Sequence, residues 1–157
     1  MELCGFINGL TKFGNQNKDV KYIIADNYCL FYKKWLEHLN KNDIARLSNY
    51  WSNQVNTQSY SSWAGFAFEL VCINNIELYL EKRGLKELFK SVNYWQYQPK
   101  DEYDKGAQID LLIEYGGEKL AIETKIYRNE KTKTDGLTQL REYMDMTGAK
   151  EGQIGRA

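Results

Sequence analysis

Two carboxylates and a lysine in the last third of the sequence are spaced so that a hairpin would bring them together. Asp110 and Glu123 lie at equal distances before and after a Gly116-Gly117 pair, within two runs rich in strand-forming residues. A Gly-Gly pair is typical of a two-residue hairpin turn. Counting back from that turn sets Asp110 opposite Glu123, and the alternation of side chains along a strand puts Lys125 on the same face.

Carboxylates directly opposed across two strands repel each other, because their Cβ atoms are only about 4.5–5.5 Å apart. A hard divalent cation, which prefers oxygen ligands, would offset that repulsion. Lys125 beside the pair would then hold a water or a phosphate oxygen, and Gln108 is expected on the same face. The arrangement predicts a metal site, and it depends on register, since a slip of one residue would separate the carboxylates.

The other side chains of this hairpin predict a single core face. That face is expected to hold alternate residues of the two strands, namely Ile109, Leu111, Ile113, Ile122, Thr124 and Ile126.

Composition narrows the class of protein. The 157 residues suit one domain, or one domain and part of another. The 21 basic residues balance 21 acidic ones, which argues against a protein that binds nucleic acid by its net charge alone. His38 is the only histidine, so zinc sites built on histidine and histidine-based triads are excluded. The three widely spaced cysteines are typical of reduced intracellular thiols. With no apolar run of 18 residues and no signal-peptide pattern, we expect no membrane partner and a cytoplasmic location.

The sequence of the first part of the chain predicts mainly helical structure. A short strand is expected within 18–24, then a helix over 27–39 capped by Asp26, and a short helix around 43–50 before a polar connector.

A stronger helix is expected over 63–82, capped by Ser61 or Ser62 and ending at Gly84. Its apolar stripe comprises Phe66, Leu70, Ile73, Ile76 and Leu80. Glu69 lies beside this stripe. It is either a charge at the edge that reaches water, which the spacing favours, or a carboxylate aimed at the metal.

Beyond the hairpin, Asp135 is expected to cap a last helix over 136–147, after a polar link over 128–134, with Leu137, Leu140 and Met144 on its buried side. A strand over 92–97, ended by Pro99, precedes the hairpin.

In the last helix, Gln139 and Tyr143 share a face. They are either ordinary surface residues or contacts to the metal site or a backbone phosphate, and spacing alone leaves both interpretations open.

The order of these features resembles the PD-(D/E)XK nuclease superfamily over roughly residues 61–154. Asp110 matches the motif aspartate, Glu123 and Lys125 match the (D/E)XK residues, and Glu69 matches the helical acid of some members. Gln139 and Tyr143 match the Gln-x-x-x-Tyr helix of the branch related to RecB-type nucleases. Ile109 stands where many members have proline. The resemblance implies an α/β fold with a restriction-endonuclease-like core, a mixed β-sheet flanked by helices.

Two further stretches, 22–32 and 60–69, resemble the C-terminal region of prokaryotic AAA-type ATPases that carry such a domain. The resemblance implies a division into 1–58, a helical segment like the tail of a winged-helix region, and 59–157, the nuclease-like domain. It also implies an ATPase domain or subunit as partner. In the superfamily a further strand follows the last helix. Only its beginning, Gly152-Gln153-Ile154, is recognisable, so we expect a truncated core whose open sheet edge promotes self-association.

The resemblance implies hydrolysis of phosphodiester bonds in DNA with Mg²⁺ or Mn²⁺. Asp110 and Glu123 would hold the metal, with Glu69 as an outer ligand, and Lys125 would orient the water or neutralise the scissile phosphate. Gln108, Gln139 and Tyr143 would support them. The alternative is a catalytically inactive nuclease-like domain that serves as a binding or interaction module.

Overall fold

The structure, a computed structural model, describes residues 4–15, 19–40, 42, 49–125 and 130–156. Its helices and strands are, in chain order, β1 (Ile7–Thr11), β2 (Val20–Ile24), α1 (Asn27–Phe31), α2 (Tyr50–Gln54), α3 (Gln58–Asn74), α4 (Ile76–Lys82), β3 (Phe89–Tyr97), β4 (Ala107–Tyr115), β5 (Glu118–Lys125), α5 (Glu130–Thr147) and β6 (Glu151–Arg156). A π-helical turn, Tyr32–Leu36, continues α1. The short helix expected around 43–50 lies almost wholly outside the described residues, as does Ile126.

A mixed four-stranded sheet in the order β3-β4-β5-β6 forms the centre of the α/β fold. The first three strands form an antiparallel meander, and β6 pairs parallel to β5 after the crossover through α5. Helices α3 and α4 pack on one face, and α5 packs on the other. The expectation of an α/β fold with a mixed sheet flanked by helices is confirmed at this level.

A further strand follows the last helix, where the sequence predicts only the beginning of one. Helix α5 is followed by Gly148, whose φ of 66° turns the chain back toward the sheet. Strand β6 then pairs with six of the eight residues of β5, from Leu120 with Glu151 to Lys125 with Arg156. Within the described chain the sheet edge is therefore β6, and β5 is an interior strand.

The described residues of the N-terminal part are not clearly the helical segment that the sequence predicts, since they include two strands. Strands β1 and β2 form an antiparallel hairpin, and the expected strand over 18–24 is the second of them. The hairpin joins the main sheet at Tyr94, whose carbonyl accepts from the Phe13 N–H at 2.8 Å. The helix expected over 27–39 is present as α1 and the π-helical turn that continues it to Leu36, with the Asp26 carboxylate accepting from the Cys29 N–H at 2.7 Å as its cap.

The long helix expected over 63–82 begins earlier and is interrupted. Thr57, not Ser61 or Ser62, caps α3, and its hydroxyl accepts from the Tyr60 N–H at 3.1 Å. The chain leaves helical geometry at Asn75, whose side-chain amide donates to the Val71 carbonyl at 2.8 Å, and α4 starts at the next residue. The predicted end is confirmed, because Gly84 adopts a φ of 67°.

The apolar stripe of α3 and α4 is buried except at its start. Leu70 and Leu80 are buried, and Ile73 and Ile76 pack against the core between these helices and the sheet. Phe66, expected in the same stripe, is 62% exposed. The core therefore begins one turn later along α3 than the periodicity predicts.

Both faces of the sheet are core faces, and a β-bulge redistributes the residues of β4 between them. Asn93 pairs with Leu112 and Trp95 with Ile109, so β4 carries one more residue than β3 in this interval. Leu111 consequently packs toward α3 and α4, whereas Ile109 and Leu112 pack toward α5. The expectation of a single core face holding Ile109 together with Leu111 is wrong for this reason.

Helix α5 begins at Glu130, before the expected Asp135 cap, and takes in most of the predicted polar link. An ion pair between Glu130 and Lys133, with 3.3 Å between carboxylate and ammonium, lies within this first part. Leu140 is buried and Met144 is packed at the core, but Leu137 is exposed, contrary to expectation. In the part of the chain that the structure describes, no helix is long and apolar enough to span a lipid bilayer.

Candidate active site

The hairpin that positions the site has the predicted register. Gly116 and Gly117 adopt φ values of 52° and 84°, the left-handed conformation that both central positions of a type I′ turn require. From this turn the ladder runs through Tyr115 with Glu118 to Leu111 with Ile122. The two strands are thus aligned so that Asp110 and Glu123 come next on either side.

The bulge in β4 changes the partner of the Asp110 side chain. The regular pairs end at Leu111, and the Asp110 carboxylate accepts from the Thr124 N–H at 2.8 Å and from its hydroxyl at 2.7 Å. Asp110 therefore bonds to Thr124 instead of facing Glu123 across a regular pair. The Gln108 side-chain amide lies 3.5 Å from the other oxygen of Asp110, at the limit of a hydrogen bond.

Glu123 is the most unusual residue of the group. Its residue exposure is 5%, and its Oε1 has no hydrogen-bond partner in the described part of the chain. Its Oε2 lies 3.8 Å from the ammonium of Lys125. Burial, and then the charge of Asp110, raise the pKa of Glu123 to about 8; Lys125 lowers it and Glu69 raises it further. A carboxylate in such a place is costly to ionise unless another cation reaches it.

Helix α5 holds the ammonium of Lys125 in place. Lys125 donates to the side-chain oxygen of Gln139, and the amide nitrogen of Gln139 donates to the hydroxyl of Tyr143. Tyr143 is itself buried in the core between the sheet and α5. Gln139 and Tyr143 are therefore not an ordinary surface pair, because Gln139 bonds to Lys125; contact with a metal or a backbone phosphate stays a prediction.

Glu69 lies near the site but has a partner of its own. One of its oxygens is 3.0 Å from the ammonium of Lys21 on β2, and its side chain is only 13% exposed. Glu69 is therefore not the solvated charge that the spacing favours, and its charge contributes to the raised pKa of Glu123.

Sequence reasoning missed two residues of this arrangement. Lys21 was missed because nothing in the sequence indicates that β2 packs beside α3. Thr124 stood in the motif between Glu123 and Lys125, but strict alternation assigned it to the core. Only the bulge in β4 makes it a partner of Asp110.

The residues fit a hard cation in donor chemistry. Magnesium is commonly bound by one or two carboxylates, with water and substrate phosphate as the other ligands. Asp110 and Glu123 supply such a pair, and the unpartnered oxygen of Glu123 is a free ligand atom. No group of three or more His, Cys, Asp and Glu side chains stands ready to hold a metal within the described ranges. The site therefore offers at most two direct carboxylate ligands.

The interpretation of this site rests on its own geometry. No protein-family model, no curated protein and no solved structure matches the chain.

Proposed function

We propose that this chain is a metal-dependent DNA nuclease of the PD-(D/E)XK type, which hydrolyses phosphodiester bonds with Mg²⁺ or Mn²⁺. One observation carries the proposal: Glu123 is almost completely buried with an unpartnered oxygen, between the charges of Asp110 and Lys125. Natural folds rarely leave a buried carboxylate oxygen without a partner. A cation bound by Glu123 and Asp110 would supply that partner.

In this proposal Asp110 and Glu123 hold the metal directly, and Glu69 acts as an outer ligand. When bound, the metal supplies a nucleophilic water and stabilises the leaving oxygen of the phosphodiester. Thr124 fixes the orientation of Asp110 through two hydrogen bonds, as the hydrogen-bond partners of metal ligands usually do.

Lys125 places a positive charge beside the position of the scissile phosphate. Its bond to Gln139, and the bond of Gln139 to Tyr143, limit the positions that the ammonium can take. A donor held in advance stabilises the developing negative charge without the cost of rearrangement. Gln108 lies at the open edge of the site beside Asp110, where it can contact the substrate backbone.

The order of elements supports a restriction-endonuclease-like core. Asp110 and Glu123 lie on adjacent strands, Gln139 lies on the helix that follows them, and a parallel strand completes the sheet. The N-terminal resemblance to ATPase-associated proteins extends the proposal to an ATPase domain or subunit that delivers DNA to this site.

Metal binding is tested by thermal melting of the wild type and of paired variants. Mg²⁺ or Mn²⁺ should raise the melting temperature of the wild type, and Asp110→Asn or Glu123→Gln should remove the increase. Glu114→Gln, on β4 but bonded to Ser91 at 2.7 Å, is the matched control that should keep it. If both site variants keep the increase, the metal binds elsewhere and the site assignment is wrong.

Cleavage is tested with purified protein and labelled DNA. Lys125→Ala should retain the fold and lower the cleavage rate by orders of magnitude, because Lys125 lies at the edge of the site and not in the core. Lys90→Ala, an exposed lysine on β3, should cleave like the wild type. Equal rates for wild type and Lys125→Ala would contradict the proposed role.

The second candidate function is an inactive binding module. The small number of carboxylates at the site favours it, since the described residues offer no third beside Asp110 and Glu123. Metal-independent DNA binding, without cleavage at any metal concentration, would favour this candidate.

A further inference from the structure

A groove at the N-terminal end of α3 combines aromatic, basic and hydroxyl side chains. It has a volume of about 520 Å³, and its lining includes Trp63 and Phe66 from α3 together with Lys33 and Lys34 from the π-helical turn. The exposed serines Ser59 and Ser62 complete its polar rim. Phe66 is the residue that the periodicity assigned to the core but that the fold leaves 62% exposed. Phe66 therefore places an exposed aromatic side chain in a groove that two lysines also line.

The floor of the groove is a fixed aromatic platform. The ring of Trp63 packs edge-on against Trp35, with 5.9 Å between centroids and 83° between planes. It also packs against Phe31 at 5.9 Å and 65°. Trp35 is buried, so the platform is anchored in the protein. Rings held in this way lose little conformational entropy when a ligand stacks on them.

The charges of the groove are of one sign. Lys33 and Lys34 are its charged lining residues, and no acidic side chain is among the described residues that line it. Lys33 also pairs with Glu37 at 2.7 Å, and the ammonium of Lys34 lies 5.7 Å from the centre of the Trp35 ring. Aromatic faces beside lysines are the pattern by which proteins bind single-stranded nucleic acid, because bases stack and phosphates pair. An apolar peptide would have no use for the two ammonium groups.

The groove leads toward the candidate active site. Phe66 also lines a smaller cavity of about 150 Å³, which contains Lys21 and Glu69. From Trp63 to Glu69 the helix advances by about 9 Å, at 1.5 Å per residue. Glu69 in turn is close enough to act on the charge of Glu123. Phe66 therefore borders both the groove and the cavity that contains Glu69.

We propose that this groove binds single-stranded DNA, with bases stacked on Phe66 and Trp63 and phosphates at Lys33 and Lys34. That the bound strand continues to Asp110 and Glu123 as a substrate rests on the proposed nuclease function. Binding in the groove is independent of it.

The test measures binding of a fluorescent oligo(dT) by anisotropy, with the full chain carrying Lys125→Ala and with EDTA present. Under these conditions no cleavage interferes. Phe66→Ala should weaken binding by about 5- to 100-fold, because stacking on one aromatic ring is lost. Phe66→Trp should retain binding, and Lys34→Ala should weaken it and reduce its dependence on salt.

Phe89→Ala is the matched control. Phe89 is also exposed, but it pairs with Tyr115 at the turn end of the sheet, away from Asp110. The Phe89→Ala variant should bind oligo(dT) with the same affinity as the chain that carries only Lys125→Ala. Thermal melts of each variant verify that the fold is intact, and an exposed side chain such as Phe66 should be replaceable without loss of stability.

Several results would overturn the proposal. Absence of oligo(dT) binding, or equal affinity in the parent and Phe66→Ala, would show that the groove does not bind DNA. If Phe66→Ala changed self-association in sedimentation but not the affinity for oligo(dT), the groove would be a protein-docking surface instead. If the wild type with Mg²⁺ bound oligo(dT) through Phe66 but did not cleave it, the proposed nuclease function would be refuted and DNA binding in the groove would be supported. If Phe66→Ala cleaved single strands as fast as the wild type, the nuclease function would be supported and DNA binding in the groove would be refuted.

Discussion

Glu123 combines deep burial with two neighbouring carboxylates, and its protonation state decides what the site can bind. With a pKa of about 8, raised chiefly by burial and then by Asp110, the side chain is mostly protonated at neutral pH in the metal-free fold. A metal ligand must be deprotonated, so binding a cation here releases a proton. Metal affinity and pH are therefore coupled through this one residue.

This coupling predicts a pH dependence with a definite sign. Between its usual pKa of 4.5 and about 8, Glu123 binds more protons in the folded than in the unfolded state, so metal-free stability should fall as pH rises through that window. The stabilisation by Mg²⁺ should increase over the same window. Melts from pH 5 to 9, with and without Mg²⁺, measure both trends, and Glu123→Gln should remove them. Metal stabilisation that is independent of pH would contradict the assignment of Glu123 as ligand.

Gln139 is predicted to act by positioning Lys125. Gln139→Leu keeps the size of the side chain but removes the acceptor of the Lys125 ammonium, and it should lower kcat by about 10- to 100-fold with little change in KM. Arg141→Leu, exposed on the same helix, is the control that should retain activity. A loss of stability without a selective loss of kcat would show that Gln139 is merely structural.

At this scale the sequence predicted which residues meet but not how they meet. The Gly116-Gly117 turn was sufficient for the register, because a two-residue turn leaves one way to count the pairs. The bulge beside Asp110 has no local signal in the sequence, so neither the bond to Thr124 nor the change of face at Ile109 could be predicted.

At the scale of elements, β6 packs closely against α5 at Gly152. A Cβ added at Gly152 would overlap the sulfur of Met144 and would lie 3.1 Å from two atoms of Leu140. Only glycine lets the edge strand approach α5 so closely, and this approach completes the pairing with β5.

Gly152→Ala should therefore lower the free energy of unfolding by about 1–3 kcal/mol, because the added methyl overpacks this joint. Gly155→Ala, on the same strand, would meet only ordinary contacts at 3.5 Å from Phe68 and should change stability by less than about 0.5 kcal/mol. Urea unfolding of both variants measures the difference. Equal stabilities would show that α5 shifts to accommodate the methyl group.

Elements with strong local signals were predicted well, and those defined by tertiary contacts were not. Asp26 as a cap, Gly84 as a helix end and the strands around Gly116-Gly117 all depend on near neighbours. Strand β1 was missed, because it lacks alternation and is stabilised by pairing with β2 and by contact with β3. The interruption at Asn75 was missed for a similar reason, since an asparagine within a helical pattern does not by itself end a helix.

At the scale of the whole molecule, the chain divides into a continuous sheet and a hairpin attached to it. Strands β4 and β5 are covered on both faces. In the described chain, one parallel backbone bridge, between Lys12 and Tyr94, joins the hairpin to the sheet, and Leu10 of β1 packs into the core beside it. Few backbone bonds therefore hold the hairpin to the rest of the protein.

Hydrogen exchange should resolve these two units. Amides of β4 and β5 should exchange only by global unfolding, and those of β1 and β2 should exchange faster through an opening that leaves the sheet intact. Exchange followed by mass spectrometry or NMR at low denaturant measures this difference. Protection of β1 and β2 equal to that of β5 would show that the molecule opens as one unit.

The ion pair between Lys21 and Glu69 makes this opening relevant to the site. The same carboxylate that ties β2 to α3 is the outer ligand in the proposed metal centre. One of its oxygens bonds to Lys21 and the second can face the metal, so docking of the hairpin and recruitment of Glu69 are coupled through one carboxylate. Thermodynamic reciprocity requires that each change the other by the same factor. The factor by which the docked hairpin changes the metal affinity is therefore the factor by which the metal changes the docking of the hairpin.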